Sequence, residues 1–192
     1  MRDGLLNRRE VVSTLCSKRD NLFIISGLGS PTYDLHAAGD NDKNFYLWGA
    51  MGGAAMIGLG LSLARPERSV LVITGDGEQL MGLGALATIA VQKPKNLTIA
   101  VLDNEHFGET GMQKSHTAYD VSLTDMAKAA GFPIALDVAS MAEVIKVRDK
   151  VLANQNLTFL NIKINSKQVK RSLPILDGVE IKNRFKQSLE KK

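Results

Sequence analysis

Two oxygen-bearing side chains stand where two apolar runs end. Ser69-Val-Leu-Val-Ile-Thr74 leads into Gly75-Asp76-Gly77, and Leu97-Thr-Ile-Ala-Val-Leu102 leads into Asp103-Asn104. Each run has the length and β-branched content of a buried parallel strand, and Gln79 to Gln92 between them reads as the crossover helix of a βαβ unit. Asp76 and Asn104 are therefore expected side by side at the carboxyl ends of adjacent strands, where open α/β sheets bind ligands. A carboxylate and an amide oxygen beside a glycine turn suit a metal-bound phosphate. The oxygen donors favour Mg²⁺, which takes few protein oxygens and completes its octahedron with phosphate oxygens and water. Gly77 would let the main chain approach the phosphate, and the helix beginning near Glu78 would direct free N–H groups at it.

The elements that must hold these residues follow from the pattern on either side. Asn7 to Lys18 reads as a helix, Leu22 to Ser26 as a strand, and Gly27-Leu-Gly-Ser-Pro31 as a loop after its carboxyl end. Small residues recur from Met51 to Ala64, as in a helix packed closely on sheet or cofactor, and Arg65-Pro66 ends it. Glu105 to Tyr119 is a longer loop than a connection requires, which marks it as functional. Ser122 caps a helix that Gly131 terminates, Pro133 to Val138 is strand-like, and Ser140-Met-Ala-Glu143 is a capping box for a helix to Leu152. Thr158 to Ile164 is a further strand, and Val179 to Lys191 a basic closing helix. Alternation of this kind predicts a single doubly wound α/β domain, residues 1–192, with a mostly parallel sheet of about six strands and helices on both faces.

Composition narrows the function classes. The 192 residues suit one domain of the usual 100–200 residues or so. Hydrophobic residues make up 44% and charged residues 23%, ordinary for a soluble protein, and no apolar run is long enough to span a bilayer. Met1 to Arg9 is polar, unlike a signal peptide, so a cytoplasmic location is expected. A single cysteine, Cys16, excludes an internal disulfide and an iron–sulfur site within the chain, and its spacing with Val12 and Leu15 places it in the core. The net charge of +4 and pI near 9.2 come largely from lysines near the end of the chain without interleaved aromatics, so nucleic acid is not the expected partner.

Gly75-Asp76-Gly77 followed by residues 78–103 and then Asn104 resembles the thiamine diphosphate (TPP) motif. Either element alone is explained as well by a helix cap or a turn; both at this spacing are not. The resemblance implies that Asp76 and Asn104 bind Mg²⁺ through side-chain oxygens and His106 through its backbone carbonyl. It implies further that Gly75, Gly77, Glu78 and Gly108 lie against the cofactor. In Trp48-Gly49-Ala50-Met51-Gly52, the Gly49 carbonyl would accept from the aminopyrimidine and Met51 would prop the cofactor in its bent form. Together with Ser26-Gly-Leu-Gly-Ser-Pro31, Ala37-Ala-Gly-Asp40, Phe45 to Gly52, Ile57-Gly-Leu-Gly-Leu61 and Gly108 to Thr117, the motif makes nearly the whole chain similar to the sulfopyruvate decarboxylase β-subunit and phosphonopyruvate decarboxylase family. That resemblance implies non-oxidative decarboxylation of a 2-oxo acid bearing a second anionic group, with the thiazolium as electron sink for a bound carbanion or enamine. Glu78 departs from the small or hydroxylic residue common after the GDG turn, and Met112 from a second loop glycine.

In such enzymes a glutamate on a separate pyrimidine-binding domain activates the cofactor, and this sequence holds no such domain. The resemblance therefore implies a pyrimidine-binding α subunit, a heterodimer or heterotetramer, and a chain inactive alone. Of the three histidines, His116 in Gln113-Lys-Ser-His-Thr117 is the candidate for contacting substrate or intermediate, with Lys114 as an anion contact. Gln113, Thr117 and His36 are candidates to line the same pocket. Three alternatives stand beside this reading: a split acetolactate synthase, the β subunit of a 2-oxo-acid ferredoxin oxidoreductase, and a TPP-binding interaction module without catalysis.

Overall fold

A computed structural model describes residues 5–19, 21–153 and 156–190. The first helix, α1 (Arg8–Cys16), is capped by Asn7, whose side chain accepts from the N–H groups of Arg9 and Glu10. The chain continues through β1 (Leu22–Ser26), α2 (Ser30–Ala37), β2 (Asn44–Tyr46), α3 (Ala54–Ala64), β3 (Ser69–Gly75), α4 (Asp76–Met81), α5 (Ala85–Gln92) and β4 (Leu97–Asp103). A small antiparallel hairpin, β5 (His106–Phe107) and β6 (Gln113–Lys114), then leads to α6 (Leu123–Ala130), β7 (Ile134–Val138), α7 (Met141–Leu152), β8 (Thr158–Lys163) and α8 (Gly178–Glu190).

Six strands form one parallel sheet in the order β2-β1-β3-β4-β8-β7, as the alternating pattern predicts. Successive side chains of a strand face opposite sides, and β3 shows it. Leu71 and Ile73 join Val11, Val12, Leu15, Leu35, Val144 and Val147 of α1, α2 and α7 on one face. Val70 and Val72 join Leu59, Leu86, Ile89, Leu123 and Ala127 of α3, α5 and α6 on the other. Both faces are covered, so the central strands have no polar side to show water. Cys16 lies in the first cluster, where burial pushes its thiol up to about 11. Among the described residues no helix is long and apolar enough to cross a membrane.

Five features differ from the pattern read in the sequence. The crossover expected as one helix, 79–92, is two: α4 begins at Asp76, and Gly82-Leu-Gly84 separates it from α5. The break has a steric cause, because Gly82 backs onto the Gly52 turn and a Cβ there would lie 2.3 Å from the Gly52 carbonyl oxygen. The helix expected from Met51 starts at Ala54, leaving residues 49–53 as a turn facing the sheet end. Ser30 and Pro31, read as loop, are the first residues of α2, and the short edge strand β2 was not anticipated. The closing helix spans Gly178–Glu190; the expected end at Lys191 lies outside the described residues.

Between β8 and α8, residues 165–177 run without regular structure across α1 and α2. Asn165 donates to the Leu6 carbonyl at 2.9 Å, the Arg9 guanidinium to Lys170 O at 2.5 Å, and the Trp48 indole N–H to Ile175 O at 3.0 Å. Ser172 Oγ and His36 Nδ1 are 2.8 Å apart. These bonds fix the segment along the carboxyl-end side of the sheet.

Candidate functional site

Pairing of β3 with β4 sets Gly75 opposite Leu102, so the residues that follow, Asp76 and then Asp103-Asn104, emerge together at the carboxyl end of the sheet. A cavity opens there. Met51, Gly75, Asp76, Gly77, Glu78 and Asn104 line it, with Leu28, Ser30 and Pro31 on one side and His106, Phe107 and Gly108 on the other. Gly77 packs against the Phe107 ring, which would have to shift for any larger residue, since a Cβ would stand 2.6 Å from it. The two motif segments thus pack on each other as well as facing one space.

Asp76 is only 2% exposed and is oriented from the side away from the cavity. Ser115 Oγ donates to Asp76 Oδ2, and Thr117 Oγ1 lies 3.3 Å from the same oxygen. Burial pushes the Asp76 carboxyl up to about 6, with the Ser115 bond opposing and the nearby Asp103 charge adding to the rise. Thr117 also donates to Asp103 Oδ1 at 2.8 Å, and Asp103 Oδ2 accepts from Lys163 Nζ at 2.6 Å and Asn161 Nδ2 at 3.2 Å. Hydroxyls and amides therefore carry a continuous polar network from Asp76 to the ion pair Asp103–Lys163 beneath the loop.

Glu78 is buried on the cavity wall, 3% exposed. Its carboxylate accepts from Thr74 Oγ1 at 2.9 Å and from the Gly52 N–H at 3.3 Å, with the Ala54 and Leu28 N–H groups completing the set. Burial raises its pKa, and these four donors oppose the rise. The carboxylate thereby ties the loops after β1 and β2 to the GDG turn.

Asn104 Oδ1 accepts from the His106 N–H at 2.9 Å, and His106 Nδ1 lies 2.7 Å from the Asn104 carbonyl oxygen. Among the described residues no cluster of three or more His, Cys, Asp or Glu forms a metal site. The oxygen set of Asp76, Asn104 and a backbone carbonyl is of another kind. It fits an Mg²⁺ that shares phosphate oxygens, because one carboxylate, one amide and one carbonyl leave octahedral positions open.

The other sequence candidates are placed as follows. Gly49 is exposed in the turn before α3, beside Met51. His116, Gln113 and Lys114 are exposed on the 105–119 loop: His116 stands edge-on to Phe107, Gln113 bonds Thr110, and Lys114 Nζ lies 5.8 Å above the Tyr119 ring. Thr117 is buried under Asp76 rather than on the cavity wall, and His36 packs on Tyr46 while meeting Ser172. Sequence reasoning missed Arg8, which lines the cavity from α1, and Ser115, which orients Asp76. Neither carries a local signal, since each acquires its neighbour only through the tertiary fold.

The family pattern described as thiamine pyrophosphate enzyme, C-terminal TPP binding domain, matches residues 34–162. Sulfopyruvate decarboxylase subunit beta of Methanocaldococcus jannaschii is 36% identical over 169 residues, covering 88% of this chain and 89% of that protein. Sulfopyruvate decarboxylase of Methanosarcina acetivorans is 35% identical over 185 residues, 96% of this chain but 48% of that protein, so the chain spans about half the length of that relative. Among solved structures, the thiamine diphosphate-dependent 4-hydroxybenzoylformate decarboxylase of Rhodococcus jostii RHA1 superposes with a TM-score of 0.71 at 17% identity, over 86% of this chain and 34% of that one. This last likeness is one of fold. With the pattern spanning the βαβ unit that carries Asp76 and Asn104, the chain belongs to the thiamine-pyrophosphate-dependent enzymes, as a TPP-binding domain of the sulfopyruvate decarboxylase β-subunit family.

Proposed function

We propose that this chain is the TPP- and Mg²⁺-binding subunit of a heteromeric 2-oxo-acid decarboxylase acting on a substrate of the sulfopyruvate or phosphonopyruvate type. The observation that carries the reading is the convergence of Asp76, Asn104 and Met51 on one cavity at the ends of β3 and β4. When bound, the cofactor supplies a thiazolium that accepts the electron pair released by loss of carbon dioxide.

The residues of the chain do the rest. Asp76 and Asn104 hold the metal, with the His106 carbonyl as a third donor, and Gly77 admits the main chain to the diphosphate. Ser115 and Thr117 keep the Asp76 carboxylate aimed at the cavity. Met51 and Phe107 form the apolar wall that keeps water from the reacting carbon. His116, Gln113 and Lys114, exposed on the loop, are positioned for a subunit interface where the substrate is held. The glutamate that activates the cofactor comes from a pyrimidine-binding partner, so the cofactor lies between the two subunits and the isolated chain does not turn over.

Titration of the assembled pair with TPP tests the reading. Binding is expected to require Mg²⁺ and to be lost in Asp76→Ala; wild-type protein that binds no TPP in the presence of Mg²⁺ removes the proposal. Turnover of sulfopyruvate, phosphonopyruvate and pyruvate by the same pair then ranks the substrates, the dianionic acids being expected ahead of pyruvate.

A further inference from the structure

Arg8 is the first residue of α1, placed at the carboxyl end of the sheet by the parallel bridge between Leu6 and Ile164 at the end of β8. It is 8% exposed, unusual for an arginine unless an anion meets it. Its Nε lies 3.2 Å from Asp34 Oδ2, and Arg9 Nε donates to the other oxygen, Asp34 Oδ1, at 2.8 Å. Two guanidinium groups thus share one carboxylate, which leaves a net positive charge in a desolvated place. Among the described residues no acceptor takes a hydrogen bond from the Arg8 guanidinium, and even its Nε lacks the alignment for one. A buried cation left in that state is costly unless a second anion completes it.

The open side of Arg8 is the cavity. Arg8 lines both the space that holds Asp76 and Asn104 and an adjoining polar recess bounded by Ser30, Tyr33, Lys167 and Arg171. A second, independent feature points the same way. The eight-residue helix α2 begins at Ser30 on that wall with no side-chain cap bond on its first N–H groups, an arrangement that favours an anion, and the Glu109 carboxylate standing against Gly29 is the group a phosphate would displace there. A metal-bound diphosphate beside the Asp76 carboxylate remains anionic overall, and Arg8 lines the same cavity as the first turn of α4.

We propose that Arg8 binds the terminal phosphate of thiamine diphosphate through its free guanidinium nitrogens, with Asp34 as the positioning residue that fixes the guanidinium plane. The proposal rests on the cofactor reading above and adds to it a contact on the phosphate farther from the thiazole. A planar guanidinium suits that task, since it meets two phosphate oxygens at once. Lys167 and Arg171 at the recess contribute field rather than contact, and Arg171 is already engaged with Glu109 at 3.7 Å.

Direct binding separates this contact from a general effect. The assembled enzyme is titrated with Mg²⁺ and either thiamine diphosphate or thiamine monophosphate, following quenching of Trp48, the single tryptophan of the chain, or heat. In Arg8→Met the affinity for the diphosphate is expected to fall about 10- to 100-fold, as for loss of a charge-assisted hydrogen bond, while that for the monophosphate changes less than about twofold. Arg8→Lys, which leaves a cation on Asp34, is expected to lose part of the same selectivity and serves if the methionine variant does not fold. Equal losses for both ligands, or no loss of diphosphate affinity in a folded variant, overturn the proposal. Wild-type protein that binds neither ligand would instead overturn the cofactor reading.

Discussion

Ser115 donates its hydroxyl hydrogen to the carboxylate of Asp76 across 39 positions of sequence. The bond joins the turn after β3 to the end of the loop that follows β4, and it acts on the proposed metal ligand from the side away from the cavity. Such outer partners commonly set metal affinity by one or two orders of magnitude. Ser115→Ala is expected to weaken Mg²⁺-dependent TPP binding about 10-fold while leaving the sheet intact, a result that titration with circular dichroism as the fold control would show. Unchanged affinity would contradict a positioning role for Ser115.

The Asp76 carboxyl, pushed up to about 6 by burial, makes stability depend on pH in a definite direction. A carboxyl whose folded pKa lies above its unfolded value of about 3.9 binds more protons folded than unfolded between the two, so metal-free stability falls as pH rises from about 4 to about 6. The full difference is on the order of 3 kcal/mol. Burial raises Glu78 in the same sense, so the contribution of Asp76 is read as the difference from Asp76→Asn. The variant is expected to flatten the metal-free melting curve over that range, and Mg²⁺ to lose affinity below about pH 6 in the wild type. Parallel curves for variant and wild type would contradict this.

Glu78 makes a different kind of demand. Its carboxylate takes the Gly52, Ala54 and Leu28 N–H groups and the Thr74 hydroxyl, so Glu78→Ala leaves backbone donors without an acceptor. A cost of about 3 kcal/mol in unfolding free energy is expected, present without cofactor or metal. Glu78→Gln keeps one acceptor oxygen and should cost roughly half as much. Denaturant unfolding of the metal-free chain distinguishes this from a phosphate contact, whose loss would show only in ligand binding.

Glu109 stands against Gly29 at the start of α2, close enough that a Cβ on Gly29 would meet its carboxylate at 2.6 Å. It therefore competes with any phosphate for the same helix end. Glu109→Gln is expected to tighten diphosphate binding by about 3-fold, the size of a screened charge near a helix terminus. The gain should shrink at high salt; weaker binding by this variant would assign Glu109 to holding the ligand instead.

What could be read from the sequence was whatever local chemistry determines. Ser122 and Gly131 bound α6, Ser140 and Glu143 make the capping box of α7, and β3 and β4 follow their apolar runs nearly residue for residue. The family motif likewise led to the cavity. By contrast, α2 hid its helical period because Thr32 and Asp34 are buried polar residues satisfied from elsewhere, Thr32 by Ser26 and the Gly27 carbonyl, Asp34 by Arg8 and Arg9. Thr117, read as a pocket residue on its loop position, is drawn beneath Asp76 by Asp103. The partners of Glu78 were equally hidden, because the amides that take up its carboxylate come from two other loops.

Because the segments carrying Asp76 and Asn104, the proposed metal ligands, leave adjacent strands, their separation is set by the β3–β4 register, with Gly75 opposite Leu102. A slip of one residue would turn the side chains of β3 to the opposite faces and carry the start of α4, with Asp76, out of line with Asn104. Cofactor loading therefore works as a gauge of strand alignment: a chain that folds with the wrong register can keep its helix content and its compactness, yet it will not take up the metal.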